Sequence, residues 1–162
     1  MSRLDSFIRR LEAQRSCLDW AAAAIAGRPG VVLELGLGNG RTYDHLRSRL
    51  GAAREIYAFD RQLAAHPACI PPADHLLLGD LTETLPAFAL RGLDVVLAHA
   101  DLGSGDVEAT AAFARWLAPR LAAIMMRDGL VLSDQRLEAP GLRAEPLPTG
   151  VPGDRYFAYR RA

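Results

Sequence analysis

The sequence has no lysine, since all nineteen of its basic residues are arginine. A Walker-type phosphate loop, a pyridoxal phosphate site and a protein kinase each depend on a lysine, so these three classes are excluded. Nineteen acidic residues bring the net charge to zero. A chain with no basic excess has no overall attraction to nucleic acid or to an anionic membrane, and we expect neither as a partner.

Patterns for metal binding and membrane insertion are also missing. The two cysteines, Cys17 and Cys69, lie far apart, and the four histidines form no His-x-x-x-His pair, so we predict no metal site. The longest apolar run, Trp20 to Ala26, has seven residues, whereas a membrane span needs about 20. Two isolated thiols and an N-terminus unlike a signal peptide favour a cytoplasmic protein.

Helical and strand-like patterns alternate along the chain. One-faced apolar spacing predicts helices over 3–26, 41–50, 81–91 and 106–127. Short apolar runs predict buried strands over 31–35, 55–60, 75–80, 93–99 and 129–134. Segments 142–145 and 155–160 could pair as a closing antiparallel hairpin. This alternation predicts an α/β fold with a mainly parallel sheet covered on both faces, and with ligands at the carboxyl ends of its strands.

The strongest motif joins the first predicted strand to the next helix, and it reads Glu34-Leu35-Gly36-Leu37-Gly38-Asn39-Gly40. Glycines at alternate positions permit positive φ and let a ligand approach the main chain closely. The helix that follows offers free N–H groups, and a plain tight turn needs only one glycine. The dinucleotide fingerprint Gly-x-Gly-x-x-Gly fits poorly, because the third glycine comes one residue early and Arg41 follows it.

The spacing Glu-x-Gly-x-Gly-x-Gly resembles motif I of the class I S-adenosylmethionine-dependent methyltransferases, and VLELGLGNGRTYDHL is similar to it throughout. Further similarity, in the order and spacing of that family, lies at 57–60, 79–81, 93–101 and 128–134. The resemblance covers about residues 31–134. It implies a doubly wound, Rossmann-like sheet of seven strands in the order 3-2-1-4-5-7-6, with strand 7 antiparallel and helices on both faces.

The resemblance implies a single methyltransferase-like domain over 1–162. Residues 1–30 would form an N-terminal helical cap, 31–134 the cofactor-binding core and 135–162 the C-terminal hairpin. The first helix could cover the cofactor cleft, with Trp20 or Phe7 facing it, or it could simply pack on the sheet. A homo-oligomer is possible.

The resemblance also assigns candidate residues for binding S-adenosylmethionine. Asp60 would accept from the ribose hydroxyls, and Asp80 would either accept from the adenine amine or only cap a helix. Glu34 would support the glycine loop or contact the cofactor's ammonium group, while Thr42 could hold its carboxylate. Arg61 departs from the family, which more often has an apolar residue there. The predicted cofactor-binding set is Glu34, Gly36, Leu37, Gly38, Asn39, Gly40, Thr42, Asp60, Arg61, Gly79, Asp80, Leu81 and His99.

The methyl acceptor is expected beside the residues that follow the fourth strand. His99 has the pKa range of a general base, and Asp101 is the second catalytic candidate, with Ser104 close by in the chain. Alternatively, His99 is only hydrogen-bonded within the sheet, or it offers only its backbone to the cofactor. The resemblance implies methyl transfer to an acceptor, which we expect to be a small molecule.

Two other functions remain open from the sequence. A non-catalytic S-adenosylmethionine-binding sensor or partner subunit is favoured by the short C-terminal region, which leaves little room for substrate-recognition insertions. A nicotinamide oxidoreductase is disfavoured, because a Tyr-x-x-x-Lys motif needs the lysine that the chain lacks.

Overall fold

The computed structural model describes residues 2–162. Its four α-helices in that range are α1 (Arg3–Ala24), α2 (Arg41–Leu50), α3 (Leu81–Ala89) and α4 (Val107–Ile124). The strands are β1 (Val31–Leu35), β2 (Ile56–Asp60), β3 (Leu76–Leu78), β4 (Val95–Ala100), β5 (Met125–Ser133), β6 (Leu142–Glu145) and β7 (Phe157–Arg161). Short 3₁₀ turns at Pro67–Cys69 and Ala73–His75 lead into β3.

All seven strands form one sheet in the order β3-β2-β1-β4-β5-β7-β6. Strands β1 to β5 pair in parallel, and β7 is antiparallel to both β5 and β6, which confirms the predicted fold. The strand order reverses between β1 and β4, the point where open sheets of this kind bind ligands. The register there sets Glu34 of β1 beside His99 of β4.

The helices cover both faces of the sheet. On one face α1 and α2 contribute Cys17, Leu18 and Leu46 to a buried cluster. On the other face α3 and α4 contribute side chains such as Phe88 and Leu121 to a second cluster. Every residue of β1 and β4 is buried, as expected for central strands that helices cover on both sides.

The boundary between α4 and β5 was predicted wrongly. The helix ends at Ile124 rather than at 127, and the strand begins at Met125. Met125 pairs with Val95 and Leu130 pairs with Leu97, so residues 126–129 bulge out opposite a single residue of β4. A Cβ atom at Gly129 would lie 2.8 Å from a main-chain oxygen, so the bulge requires glycine. The apolar pattern that predicted a helix over 106–127 extends beyond Ile124. The helix nevertheless ends there, because the next residue pairs with β4.

Other predicted boundaries match the structure or differ from it by one or two residues. Strand β3 is shorter than the predicted 75–80, because this edge strand pairs with β2 alone. Strand β6 lies where it was predicted, and β7 is shifted slightly toward the C-terminus. Among residues 2–162, none of the helices combines the length and apolar composition that a membrane span requires.

Candidate functional site

A crevice opens at the carboxyl ends of the central strands, where the strand order reverses. Its larger part has a volume of about 490 Å³, within the range of small-molecule sites. The walls come from the ends of β1 and β2, the start of α3, the loop after β4 and the first half of α4. They are lined by Gly36, Phe59, Asp60, Arg61, Gly79, Asp80, Leu81, Leu102, Ser104, Ala109, Thr110 and Phe113.

A smaller cavity of about 380 Å³ continues the crevice toward α1. It shares Gly36, Asp60, Leu102 and Ser104 with the larger part. It adds Arg10, Leu37, Gly38, Thr42, Asp101 and Gly103. The structure thus brings ten of the predicted site residues to one crevice: Gly36, Leu37, Gly38, Thr42, Asp60, Arg61, Gly79, Asp80, Leu81 and Asp101.

The glycines of the loop after β1 have different surroundings. A Cβ atom at Gly36 (φ 91°) would lie 2.5 Å from the carbonyl oxygen of Asp101, so the loop packs tightly on the end of β4. A Cβ atom at Gly38 (φ 53°) would meet nothing within 4 Å, and this residue faces the open crevice. Asn39 and Gly40 lie outside the crevice walls, and Gly40 packs against Cys69. The loop therefore offers main chain to a ligand mainly at Gly38.

Asp60 ties the end of β2 to the glycine loop. Its Oδ2 accepts a hydrogen bond from the Gly38 amide at 2.7 Å, and its Oδ1 accepts from the Arg61 amide at 2.7 Å. Asp60 lines both parts of the crevice. These contacts fix a carboxylate at the centre of the crevice, where it can accept from hydroxyl groups of a ligand.

Asp80 is the N-cap of α3. Its Oδ1 accepts from the amide of Thr82 at 2.9 Å and from the Thr82 hydroxyl at 2.7 Å. Those hydrogen bonds, the backbone one first, lower the pKa of the Asp80 carboxyl. Asp80 is therefore an ionised acceptor at neutral pH, at the end of the crevice beside Gly79 and Leu81.

Glu34 lies beneath the glycine loop and is fully buried. Its Oε1 accepts from the hydroxyl of Thr42, the second residue of α2, and its Oε2 lies 2.8 Å from Nδ1 of His99. Both carboxylate oxygens are thus engaged inside the protein. This arrangement favours the loop-supporting role of Glu34 over contact with a ligand.

His99 is also fully buried and does not line the crevice. Its Nε2 lies 2.5 Å from the hydroxyl of Tyr156, just before β7. Burial acts to lower the pKa of His99, but the adjacent Glu34 carboxylate more than offsets it, and the pKa is raised. The role of His99 as a base in contact with an acceptor stays a prediction, and its enclosed position does not favour it.

Asp101 reaches the crevice and is held there by α1. Its Oδ1 accepts from Nη2 of Arg10 at 2.5 Å, and its Oδ2 accepts from Nε2 of Gln14 at 2.9 Å. Of the two possibilities for α1, the one in which Trp20 or Phe7 faces the cleft is not observed, because neither residue lines the crevice. Trp20 packs on the core between the sheet and the first two helices, and Phe7 is 48% exposed.

Asp134, which follows β5, secures the wall beside Asp101. Its carboxylate accepts from the amides of Leu102 and Gly103 at 3.2 and 3.0 Å. Burial, assisted by the charge of Asp101, raises the pKa of Asp134. The loop after β4 is therefore anchored to the neighbouring strand, which fixes the shape of the wall that both parts of the crevice share.

Sequence reasoning missed several residues of the site. Thr110 and Phe113 of α4 form part of the crevice wall. They belong to no motif, although the helix that follows β4 could have been expected at the crevice. Arg10 and Gln14 lie four positions apart on α1 and therefore share a helix face. Because α1 carries many other charged residues, nothing in the sequence singled out this pair as a contact of the distant Asp101.

Comparisons with known proteins identify the family. The model of a family described as S-adenosyl-L-methionine methyltransferase matches residues 1–161. The chain belongs to this methyltransferase family. The methyltransferase is also similar to the crystal structure of an S-adenosyl-L-methionine methyl transferase from Silicibacter pomeroyi DSS-3. The two are 47% identical over 100% of this chain and 99% of the other, with a TM-score of 0.93.

More distant structures share the fold of the methyltransferase. TrmN from Thermus thermophilus is 22% identical over 90% of this chain and 48% of its own, with a TM-score of 0.66. Cofactor-bound Rv0187 from MTB is 18% identical over 98% of this chain and 88% of its own, with a TM-score of 0.59. No curated protein sequence matches the methyltransferase significantly. The family match confirms the predicted enzyme class and S-adenosylmethionine as cofactor, and it does not favour the sensor or the oxidoreductase.

Proposed function

We propose that this enzyme methylates a small-molecule acceptor bound beside Asp101 and Ser104. The observation that carries the proposal is the shape of the crevice, in which one part lies between Asp60 and Asp80 and the other ends at Asp101. A cofactor in the first part would present its reactive end to the second. The zero net charge supports a small acceptor over a nucleic acid, which needs a basic surface.

The nucleoside of the cofactor would occupy the larger part of the crevice. Asp60 would accept from the ribose hydroxyls, while Asp80 and the main chain at Leu81 would face the edge of adenine. Apolar side chains such as Phe113 supply flat walls for the base. Gly79 keeps the backbone close to the base, and Arg61 would cover its outer side.

The amino-acid end of the cofactor would lie against the glycine loop. Gly38 has no Cβ atom to occupy the crevice, so the residues present fit a ligand that approaches the main chain there. Asn39 and Gly40 would shape the loop from outside, and Leu37 would close its inner side. Glu34 holds Thr42 from below, which keeps the start of α2 in place.

The protein's contribution to the reaction is mainly orientation. S-adenosylmethionine supplies an activated methyl group on a positively charged sulfur. Aligning the acceptor with that group is an entropic effect that is worth several kcal/mol. Where the acceptor carries a proton, the Asp101 carboxylate in the crevice would accept it.

The acceptor class is tested by incubating the enzyme with methyl-labelled S-adenosylmethionine and a cell extract divided into small-molecule, RNA and protein fractions. We expect label to enter the small-molecule fraction. Transfer to RNA or protein alone would overturn the proposed acceptor class. Calorimetry with S-adenosylmethionine and its demethylated product, with NAD as the negative control, measures cofactor binding in parallel.

Replacing Asp60 with alanine is expected to weaken S-adenosylmethionine binding by about 1–3 kcal/mol, or roughly fivefold to 150-fold, because bound hydroxyl groups would lose their acceptor. Calorimetric titration measures the change. Asp154→Ala is the control, because its exposed carboxylate lies on the loop before β7, outside the crevice walls. Equal affinities of the two variants would contradict the ribose role of Asp60.

A further inference from the structure

A line of hydrogen-bonded side chains connects the two walls of the smaller cavity through the protein interior. At one end the hydroxyl of Thr42 donates to Glu34, and at the other Gln14 donates to Asp101. Thr42 and Asp101 both line the cavity, whereas the residues between them do not. The full line is Thr42, Glu34, His99, Tyr156, Gln14 and Asp101.

The middle of this line is sealed from water. Glu34, His99 and Tyr156 are 0% exposed, and Gln14 is 6% exposed. Burying polar groups is unfavourable unless each finds a partner, and an apolar core of equal volume would serve stability as well. In the described part of the chain no buried side-chain nitrogen or oxygen lacks a partner. A satisfied buried network of this kind fixes geometry.

The amide of Gln14 is held in one orientation. Its Nε2 donates both to Asp101 at 2.9 Å and to the Tyr156 hydroxyl at 3.1 Å. Turning the amide over would place its oxygen against the Asp101 carboxylate, which also has no hydrogen to donate. With Arg10 on the other oxygen, Asp101 is clamped from both sides by α1.

Tyr156 is held in turn from the sheet. Its hydroxyl lies 2.5 Å from Nε2 of His99, and the two rings stack at 5.9 Å between centroids. His99 is fixed by Glu34, the acid beneath the glycine loop. The orientation of Asp101 is therefore connected to the glycine loop by side chains as well as by the backbone.

We propose that Tyr156 and Gln14 are positioning residues, which hold the Asp101 carboxylate in its orientation through the buried line from Glu34 and His99. The proposal rests on the proposed role of Asp101 in methyl transfer. It assigns His99 to the positioning line rather than to contact with the acceptor. Neither Tyr156 nor Gln14 belongs to a motif of the glycine-loop region.

Tyr156→Phe tests the proposal because it removes one hydroxyl and keeps the ring. Tyr159→Phe is the matched control, since the buried Tyr159 hydroxyl accepts from the Leu137 amide at 2.8 Å on the other face of the sheet. Tyr156→Phe loses two buried hydrogen bonds, those with His99 and Gln14, and Tyr159→Phe loses one. We expect Tyr156→Phe to lower the rate of label transfer about tenfold to a hundredfold while its cofactor affinity stays within about threefold. Tyr159→Phe should keep the wild-type rate.

A second measurement needs no acceptor. The resonance of the Asp101 carboxyl carbon is recorded by NMR in the full chain at one fixed pH. The resonance should change in Gln14→Leu, which lacks the hydrogen bond to Asp101, and in Tyr156→Phe, in which Gln14 loses its second partner. The charged groups around Asp101, namely Arg10, Asp134 and His99, are unchanged in all variants.

The outcomes separate the two proposals. If the wild type transfers no label to small molecules, the proposed acceptor class fails, and the NMR resonance of the Asp101 carboxyl carbon still tests the positioning line. If that resonance changes equally in Tyr156→Phe and Tyr159→Phe, or in neither, the line does not position Asp101. Equal transfer rates of these two variants overturn the positioning role in the same way.

Discussion

Gly36→Ala is expected to eliminate measurable cofactor binding and to lower the free energy of unfolding by about 3 kcal/mol. The main chain at Gly36 has φ 91°, which strains any residue with a Cβ atom. The added methyl group would also lie 2.5 Å from the Asp101 carbonyl oxygen and 3.1 Å from the side chain of Leu102. Because both contacts belong to the wall of the crevice, the loop after β4 must move. Urea unfolding and calorimetry with S-adenosylmethionine measure the two effects.

Gly38→Ala is the matched control in the same loop. Its φ of 53° lies in the left-handed region, where alanine costs about 1–2 kcal/mol, and its Cβ atom would meet no protein atom within 4 Å. We therefore expect a smaller loss of stability than in Gly36→Ala. Cofactor affinity should still fall clearly, because the methyl group enters the crevice. Unchanged affinity in Gly38→Ala would show that the ligand does not approach the main chain there.

Local patterns were sufficient to predict the helices, the strands and the α/β class, whereas the strand order came from the resemblance to the methyltransferase family. Strands β1 and β4 are short, apolar and buried throughout, and the helices between the strands show one-faced spacing. Such signals depend on neighbours within a few positions, so the sequence carries them directly. The boundary between α4 and β5 was predicted wrongly because its position depends on pairing with β4. There, Met125 meets Val95 and residues 126–129 bulge out.

The candidate site also has a part that could be predicted from the sequence and a part that could not. Asp60 ends β2, while Asp80 and Asp101 follow β3 and β4. Parallel strands bring their carboxyl ends to one edge of the sheet, so the crevice wall was predictable. The burial of His99 against Tyr156 was not, because the two residues lie 57 positions apart. The clamp of Gln14 on Asp101 spans 87 positions. Contacts of this range depend on how the two termini dock on the sheet, and no motif marks them.

Glu34→Gln is expected to destabilise the protein in a pH-dependent way. The substitution keeps the size of the side chain but removes the charge that faces His99, and both groups are fully buried. Removing one partner of a buried pair costs about 3 kcal/mol when the other remains charged. In Glu34→Gln burial is opposed only by the charges of Asp101 and Asp134, so the pKa of His99 should fall below its value in the wild type. An NMR titration of the His99 ring measures this change directly.

The sign of the pH effect follows from the raised pKa of His99 in the wild type. A raised pKa in the folded state means that the stabilisation from the Glu34 pair is fully present below about pH 6.5 and is lost as the pH rises through the folded-state pKa. The stability difference between wild type and Glu34→Gln should therefore be largest near pH 6 and shrink toward pH 9, as urea unfolding at both values can test.

Thr42→Val is the control, because it removes only the hydroxyl donated to Glu34 and should cost about 1 kcal/mol with little dependence on pH. If Glu34→Gln lost the same amount of stability at both pH values, His99 would not be protonated beside Glu34 in the folded wild type.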